Sequence, residues 1–206
     1  MVVIPHGVDG IYSSSNQNDE RDKFLLSVSD IYVQKNFTAL IRAIANLRES
    51  IPDIQLKVAG SPVDAEYFAV LKVLITEQHL DEHVEFLGHV PVIELKKLYG
   101  RCRIFVFPST VETFGNPLVE AMACGAPIAS SNTAAMPEVL GDAAVYFDPN
   151  DIDNITDVLS ELYNDPAART DLTSKALKRA KLYAWEETKD RTLQVIRDSE
   201  EALAGK

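Results

Sequence analysis

Two carboxylates flank one tight elbow in this chain. Glu112 and Glu120 bracket the run "ETFGNPLVEA", with Phe114, Gly115, Asn116, Pro117 and Leu118 between them. An ionised carboxylate only accepts hydrogen bonds, so both side chains ask for donors such as sugar hydroxyls. Pro117 suits the first turn of the helix that carries Glu120, while Glu112 directly follows the strand-like run "RIFVFPS". The two glutamates therefore stand on either side of a helix N-terminus and share no helical face. First-turn N–H groups, expected at Leu118 and Val119, point outward with the positive end of the helix dipole. Gly115 lets an anion approach that backbone with no side chain in the way. A molecule carrying hydroxyls, then a diphosphate, then more hydroxyls would satisfy the whole elbow, and that describes a nucleotide sugar. The competing reading is a solvated helix glutamate at 120 and a loop cap at 112, and the pair alone does not decide between them.

Other polar residues extend the pattern. Lys35, in "SVSDIYVQKNFTAL", lies between a strand and a helix, where an ammonium can rest against a diphosphate as a point charge. A plain surface lysine beside Asn36 is its alternative. The run "FLGHVP", residues 86–91, offers backbone at Gly88 to a base edge, with His89 or Val90 to cover the base. On its own, His89 reads as a turn residue. His6, His79, His83 and His89 form no HExxH, and the i, i+4 pair His79 and His83 falls in a helix-to-strand turn, so no metal is expected. Cys102 and Cys124 read as reduced, buried thiols of a cytosolic protein.

The elements that must hold these residues alternate along the chain. Strand candidates are 23–29, 54–60, 84–88, 103–109, 127–130 and 143–147. Between them run helical periods: Phe37, Leu40, Ile41, Ile44 and Leu47 after Asn36 as cap; Tyr67, Val70, Leu71, Leu74 and Ile75 after Asp64; Val92, Leu95, Leu98 and Tyr99 after Pro91. Short apolar strands alternating with amphipathic helices predict an α/β fold, a doubly wound parallel sheet covered on both faces. Beyond residue 150 the pattern is helical only, with Asn150 as a cap, a second helix from Pro166, and a weakly amphipathic last one carrying Trp185, Leu193, Ile196 and Leu203. The expected organisation is an N-terminal strand and linker over 1–22, with "SSSNQND" (13–19) as the linker, a main domain over 23–183 and a C-terminal helix over 184–206. Ligands of such sheets bind beyond the carboxyl ends of the strands, which directs attention to 29–36, 60–64, 88–91, 109–117 and 130–137.

Composition limits the partners. The 206 residues are 46% hydrophobic, enough for a core, and 20 Lys and Arg against 31 Asp and Glu give a net charge of −11. Nucleic acid and anionic membrane surfaces are disfavoured, because they are bound through clustered positive charge. A small phosphorylated ligand needs only one local cation and some N–H groups. No run approaches the length of a membrane span, and "MVVIPHGVDG" reads as no signal peptide, so a cytoplasmic setting is expected. No GxGxxG follows the first strand, which argues against a dinucleotide oxidoreductase.

Taken together, "VIPHGVD", "KNFTALIRAI", "LKVAGSP", "VEFLGHVP", "FVFPS", "ETFGNPLVEA", "ACGAPIASS" and "MPEVLGDAAVYFDP" resemble, in order, the retaining GT-B glycosyltransferases of family 4, the glycosyl transferases group 1 domain. The resemblance implies the C-terminal, Rossmann-like, donor-binding half of a GT-B fold. By it, Glu112 holds the donor sugar's hydroxyls and the backbone from Phe114 to Leu118 meets the sugar and distal phosphate. Glu120 grips the ribose diol, Lys35 the diphosphate, and the segment around His89 and Val90 the base, with Glu112 and Lys35 the catalytic pair. The family usually needs no divalent metal, so neither cofactor nor metal is implied. Many members carry an arginine six residues before the lysine; here Ser29 stands there. Either Ser29 donates a hydroxyl, or one charge-assisted contact worth about 1.5–3 kcal/mol is lost.

The resemblance covers only this half, so the N-terminal acceptor half, which supplies a histidine in the family, is expected to lie outside these residues, and any peripheral membrane association would come only through it. The final helix commonly crosses back to that half. The function implied is hexosyl transfer from a nucleoside-diphosphate sugar to an acceptor hydroxyl, in polysaccharide or glycolipid synthesis, with the isolated chain inactive. The rival is a stand-alone nucleotide-sugar binding subunit that needs a separate acceptor-domain partner. "ETFGNPLVE" argues against a GT-B epimerase or phosphorylase.

Overall fold

The computed structural model describes residues 2–13 and 21–204, with side chains through residue 201; most of the expected linker lies outside the described residues. Strands and helices alternate as β1 Phe24–Val28, α1 Phe37–Ser50, β2 Gln55–Ala59, α2 Ala65–Glu77, β3 Val84–Gly88, α3 Val92–Arg101, β4 Ile104–Phe107, α4 Asn116–Ala123, β5 Ile128–Ser131, α5 Met136–Leu140 and β6 Ala144–Phe147. Three helices follow, α6 Ile152–Asn164, α7 Pro166–Ala180 and α8 Trp185–Ala204, and short 3-10 turns occupy Val33–Lys35 and Lys181–Tyr183. The six strands form one sheet in the order β3-β2-β1-β4-β5-β6, with every pairing parallel. This is the Rossmann-like, doubly wound fold with a helical tail.

Period-two alternation explains the two apolar layers. Leu25 of β1, with Leu56, Val58, Ile104 and Val106, faces a layer built by α1, α2 and α6 through Leu40, Ile44, Leu71 and Leu159. Leu26 and Val28 face the other way, with Phe105, Phe107 and Ile128, toward Tyr99, Leu118, Met122, Val139 and Ala176 of α3, α4, α5 and α7. Each large side chain so buried contributes roughly 1.5–3 kcal/mol.

Helix starts mostly follow local chemistry. Asp64 caps α2 by accepting from the Tyr67 N–H at 2.9 Å, and Asp165 caps α7 by accepting from Ala168 at 2.9 Å. Asn150 is not the cap of α6: Asp151 takes that place, accepting from Asn154 at 3.0 Å, while the Asn150 N–H donates to Asp148. Asn36 precedes α1 but makes no cap bond; at φ 55° it sits in the left-handed region and its side chain donates to the Pro149 carbonyl at 2.8 Å. Pro91, with ψ 146°, is the residue before α3 and not its first member. The apolar faces are narrower than their periodicity implies, since Val70 is 55% and Val92 46% exposed.

The expected N-terminal strand forms no ladder. Residues 5–8 instead strap the entrance to α8: Val8 N–H donates to Tyr183 O at 2.6 Å, Thr188 Oγ1 donates to Pro5 O at 3.0 Å, and one bridge joins Val8 to Ala184. Trp185, Leu193 and Ile196 of α8 remain 42–51% exposed, in keeping with its weak amphipathicity. Among the described residues no helix is long and apolar enough to cross a membrane.

Candidate functional site

The chain runs outward from β1 to β3, then returns to β4 beside β1. That reversal leaves a crevice beyond the carboxyl ends of β1 and β4, the usual ligand position in such sheets. Lys35 ends the 3-10 turn after β1, and Glu112 lies in the loop after β4, so topology brings them together across 77 residues. They form an ion pair through Lys35 Nζ and Glu112 Oε1, with side chains only 10% and 15% exposed. The Tyr32 and Phe107 rings flank the ammonium at 5.1 and 5.7 Å, and Ser109 Oγ also donates to Glu112 at 3.3 Å. The loops are stitched in place: Thr110 N–H donates to Gln34 O at 3.0 Å, Ser131 Oγ to Ser109 O at 2.6 Å, and Thr133 Oγ1 to Thr110 O at 3.1 Å. Sequence reading assigned Lys35 and Glu112 to different parts of one ligand; the structure also makes each the other's counter-ion.

The elbow follows. Gly115 has φ 84°, and a Cβ there would fall 2.9 Å from Leu118 Cδ1, so both conformation and space require glycine. The Leu118 N–H is not free as expected, because it donates to Gly115 O at 2.9 Å and closes the first turn tightly. The open donors lie upstream: the N–H groups of Phe114, Gly115 and Asn116 have no partner among the described residues. Asn116 itself is exposed, and Pro117, second in α4, brings no N–H. Phe114 is packed between the rings of His6 and Tyr183, each at 5.6 Å.

Glu120 points into a different environment. The Tyr99 hydroxyl donates to its Oε2 at 2.9 Å, and the Tyr12 hydroxyl lies close to the same carboxylate. Burial holds the Glu120 carboxyl above its ordinary range, and the two phenols pull it back toward ionisation. Burial likewise pushes both tyrosine hydroxyls up, with the glutamate's charge adding to the effect. The Arg21 guanidinium bridges the ends of the two helices, donating to Gly100 O at 3.1 Å in the last turn of α3, to Cys102 O at 3.3 Å just past it, and to Gly125 O past α4. Sequence reading took Tyr99 as part of an apolar face and passed over Tyr12 and Arg21. A tyrosine within an otherwise aliphatic helical face was the available signal, since a buried phenol needs a polar partner.

The remaining candidates are more loosely arranged. Ser29 turns its hydroxyl to the Asp30 carbonyl at 2.7 Å. Its own carbonyl presses on Gly60, where a Cβ would lie 1.9 Å away. Gly88 has φ 65° and its carbonyl accepts from Gly60 N–H at 2.8 Å. His89 is exposed, and Val90 is half-buried against the α3 and α4 layer. His79 lies in a turn at φ 54°, and His83 Nδ1 sits 2.8 Å from Ile54 O. Cys102 and Cys124 are free, buried thiols, both pushed up to about 12 by burial. A separate cavity of about 730 Å3 beside Arg42, Asn46, Gln78 and Asp153 includes none of the crevice residues.

The profile of the family described as glycosyl transferases group 1 matches residues 10–179. The chain is 38% identical over 128 residues to the O-antigen chain mannosyltransferase B of Escherichia coli, covering 62% of this chain and 34% of that protein. It is 31% identical over 208 residues to the serotype-specific mannosyltransferase WbdA of Escherichia coli, covering 98% of this chain and 26% of that one. The chain thus spans about a quarter to a third of these curated relatives. In fold it matches Anabaena HepE in complex with UDP-glucose, at TM-score 0.86 and 20% identity over 96% of this chain and 57% of that one. It also matches sucrose-phosphate synthase from Thermosynechococcus elongatus, at TM-score 0.84 and 23% identity over 97% and 52%.

Proposed function

The chain belongs to the glycosyl transferases group 1 family, and from that premise we propose that it is the donor-binding part of a retaining glycosyltransferase. It would bind a nucleoside-diphosphate hexose whose sugar passes to an acceptor hydroxyl during polysaccharide or glycolipid assembly. The observation that carries this reading is the buried Lys35–Glu112 pair at the switch point, set beside an elbow of unpartnered N–H groups. Lys35 and the N–H groups of Phe114, Gly115 and Asn116 offer fixed positive ends where charge grows on the departing diphosphate. One such donor contributes on the order of 2.7–4 kcal/mol to a transition state. Glu112 accepts from the sugar hydroxyls and orients the ring; no nucleophilic role is assigned to it. Glu120 accepts from the ribose diol. The segment at Gly88, His89 and Val90 borders the base, and Ser29, in the place of a second cation, leaves Lys35 as the main counter-charge. No metal enters this scheme, and excess chelator should leave donor binding unchanged.

The mannosyltransferase names of the relatives make a mannosyl donor the first to test, and HepE with UDP-glucose makes a uridine donor the second. The share of those relatives left uncovered supports an acceptor-binding part elsewhere in a longer protein. The 206-residue chain should therefore bind donor weakly and not turn over. The buried, free thiols fit a reducing, cytoplasmic setting.

Calorimetric titration with GDP, UDP and ADP, each beside its sugar nucleotide, tests the assignment. Glu120→Ala should weaken nucleotide and sugar nucleotide alike, by about tenfold for a lost charged hydrogen bond. Glu112→Ala should weaken only the sugar nucleotide, because removing it also releases Lys35 toward the diphosphate. Equal losses for both ligands in both variants would sink this division of labour.

A further inference from the structure

Glu120 is held by one phenol and faced by a second. Tyr99 is fully buried, with its ring edge-on to Tyr12 at 6.1 Å and to Phe105 at 5.3 Å. Its hydroxyl therefore has one place to go, the Glu120 Oε2 at 2.9 Å. Tyr12, buried as well, brings a second hydroxyl from the N-terminal segment to the same carboxylate. An ionised carboxylate offers about four acceptor sites. Tyr99 occupies one and the nearby Tyr12 hydroxyl crowds a second, which leaves about the two that a vicinal diol needs. Left to itself, a glutamate in mid-helix samples several rotamers, and this one cannot.

We infer that Tyr99 and Tyr12 are positioning residues that fix the Glu120 carboxylate to receive the two ribose hydroxyls of the donor, an inference that rests on the role proposed above for Glu120. The phenols also set its charge. Burial favours the protonated form of Glu120, and each phenol favours the ionised form. The titratable groups facing it are Tyr99 from α3, Tyr12 from the N-terminal segment and Cys124 one turn on, just past α4; Lys96 of α3 and Arg21 act on Cys124. Only the ionised carboxylate can accept from both hydroxyls. Preference for a ribose diol is thus present above the Glu120 pKa and lost as pH falls through it. Removing a phenol removes a stabiliser of the anion, so the pKa rises and the loss sets in at higher pH.

The test uses the full chain as wild type, Tyr99→Phe and Tyr12→Phe, all of which keep the buried ring. Each is titrated with GDP and UDP and with their 2′,3′-dideoxy counterparts across roughly pH 5 to 8, around and above the ordinary carboxylate range. The ratio of affinities cancels the titration of the diphosphate. Wild type should prefer the ribonucleotide by about tenfold, the worth of a hydrogen bond to a charged group. Either phenylalanine variant should cut that preference about threefold or more, move its acid limb upward, and leave dideoxynucleotide affinity unchanged. A purely structural role would weaken both ligands equally and keep the ratio, which overturns the proposal. Absence of any ribose preference in wild type overturns instead the diol role of Glu120. Carbon-detected NMR titration of the Glu120 carboxyl, assigned with Glu120→Gln, needs no ligand. A midpoint unmoved by Tyr99→Phe overturns the inference even if no nucleotide binds.

Discussion

Lys35 and Glu112 are each 15% exposed or less at the side chain, so their pairing is an energetic commitment. Desolvating two ions costs several kcal/mol each, and only good geometry and further hydrogen bonds offset it. Removing one partner leaves the other buried and uncompensated. Lys35→Met or Glu112→Leu alone should therefore destabilise the chain by about 3 kcal/mol or more, whereas the double variant should recover most of that loss. Urea unfolding of the four proteins gives the coupling directly, and a double variant whose loss equals the sum of the two single losses would show the pair to be uncoupled. None of this was legible in the sequence. Lys35 and Glu112 are 77 residues apart, and their meeting depends on β4 returning beside β1. Residue type and neighbourhood gave each a ligand; only strand order gave them each other. The Leu118 N–H was misjudged for a related reason, because the left-handed Gly115 folds its carbonyl back onto it.

At the scale of elements, the alternation of short apolar strands and amphipathic helices predicted the sheet well. Parallel strands buried on both faces must be largely apolar, as "FLLSV" of β1 is apart from Ser27. Three of the helix starts follow from aspartates whose carboxylates accept first-turn N–H groups. The tie between the ends of α3 and α4 was not readable, because it runs through Arg21, a residue outside both helices. Its guanidinium reaches carbonyls at and just past those ends, where helix dipoles present their negative ends. Arg21→Met should lower stability by about 2 kcal/mol, as expected for hydrogen bonds from a charged donor. It should also weaken the Tyr99–Glu120 contact, since α3 and α4 carry its two halves. Thermal melts report the first effect and the NMR midpoint of Glu120, shifted upward, reports the second.

Across the whole molecule, stability is graded from the sheet outward. β1 and β4 lie between both apolar layers, while α8 leaves Trp185, Leu193 and Ile196 half in solvent. Amide exchange should be slowest at Leu25, Leu26, Phe105 and Val106 and fastest along the second half of α8, by several orders of magnitude if the centre opens only globally. Uniform protection of α8 would contradict this gradient. The strap of residues 5–8 binds the front of that helix, and Gly7 lies so close to Trp185 that a Cβ would fall 2.5 Å from its ring. Trp185 is the chain's single tryptophan. It stands next but one to Tyr183, whose ring touches Phe114 at the elbow. The fold therefore carries its own fluorophore at the seam between its N-terminal strap and its last helix, two residues along the chain from the tyrosine that packs on the elbow. Movement of the strap, or of the elbow beneath it, should alter emission from one known residue, with no label attached.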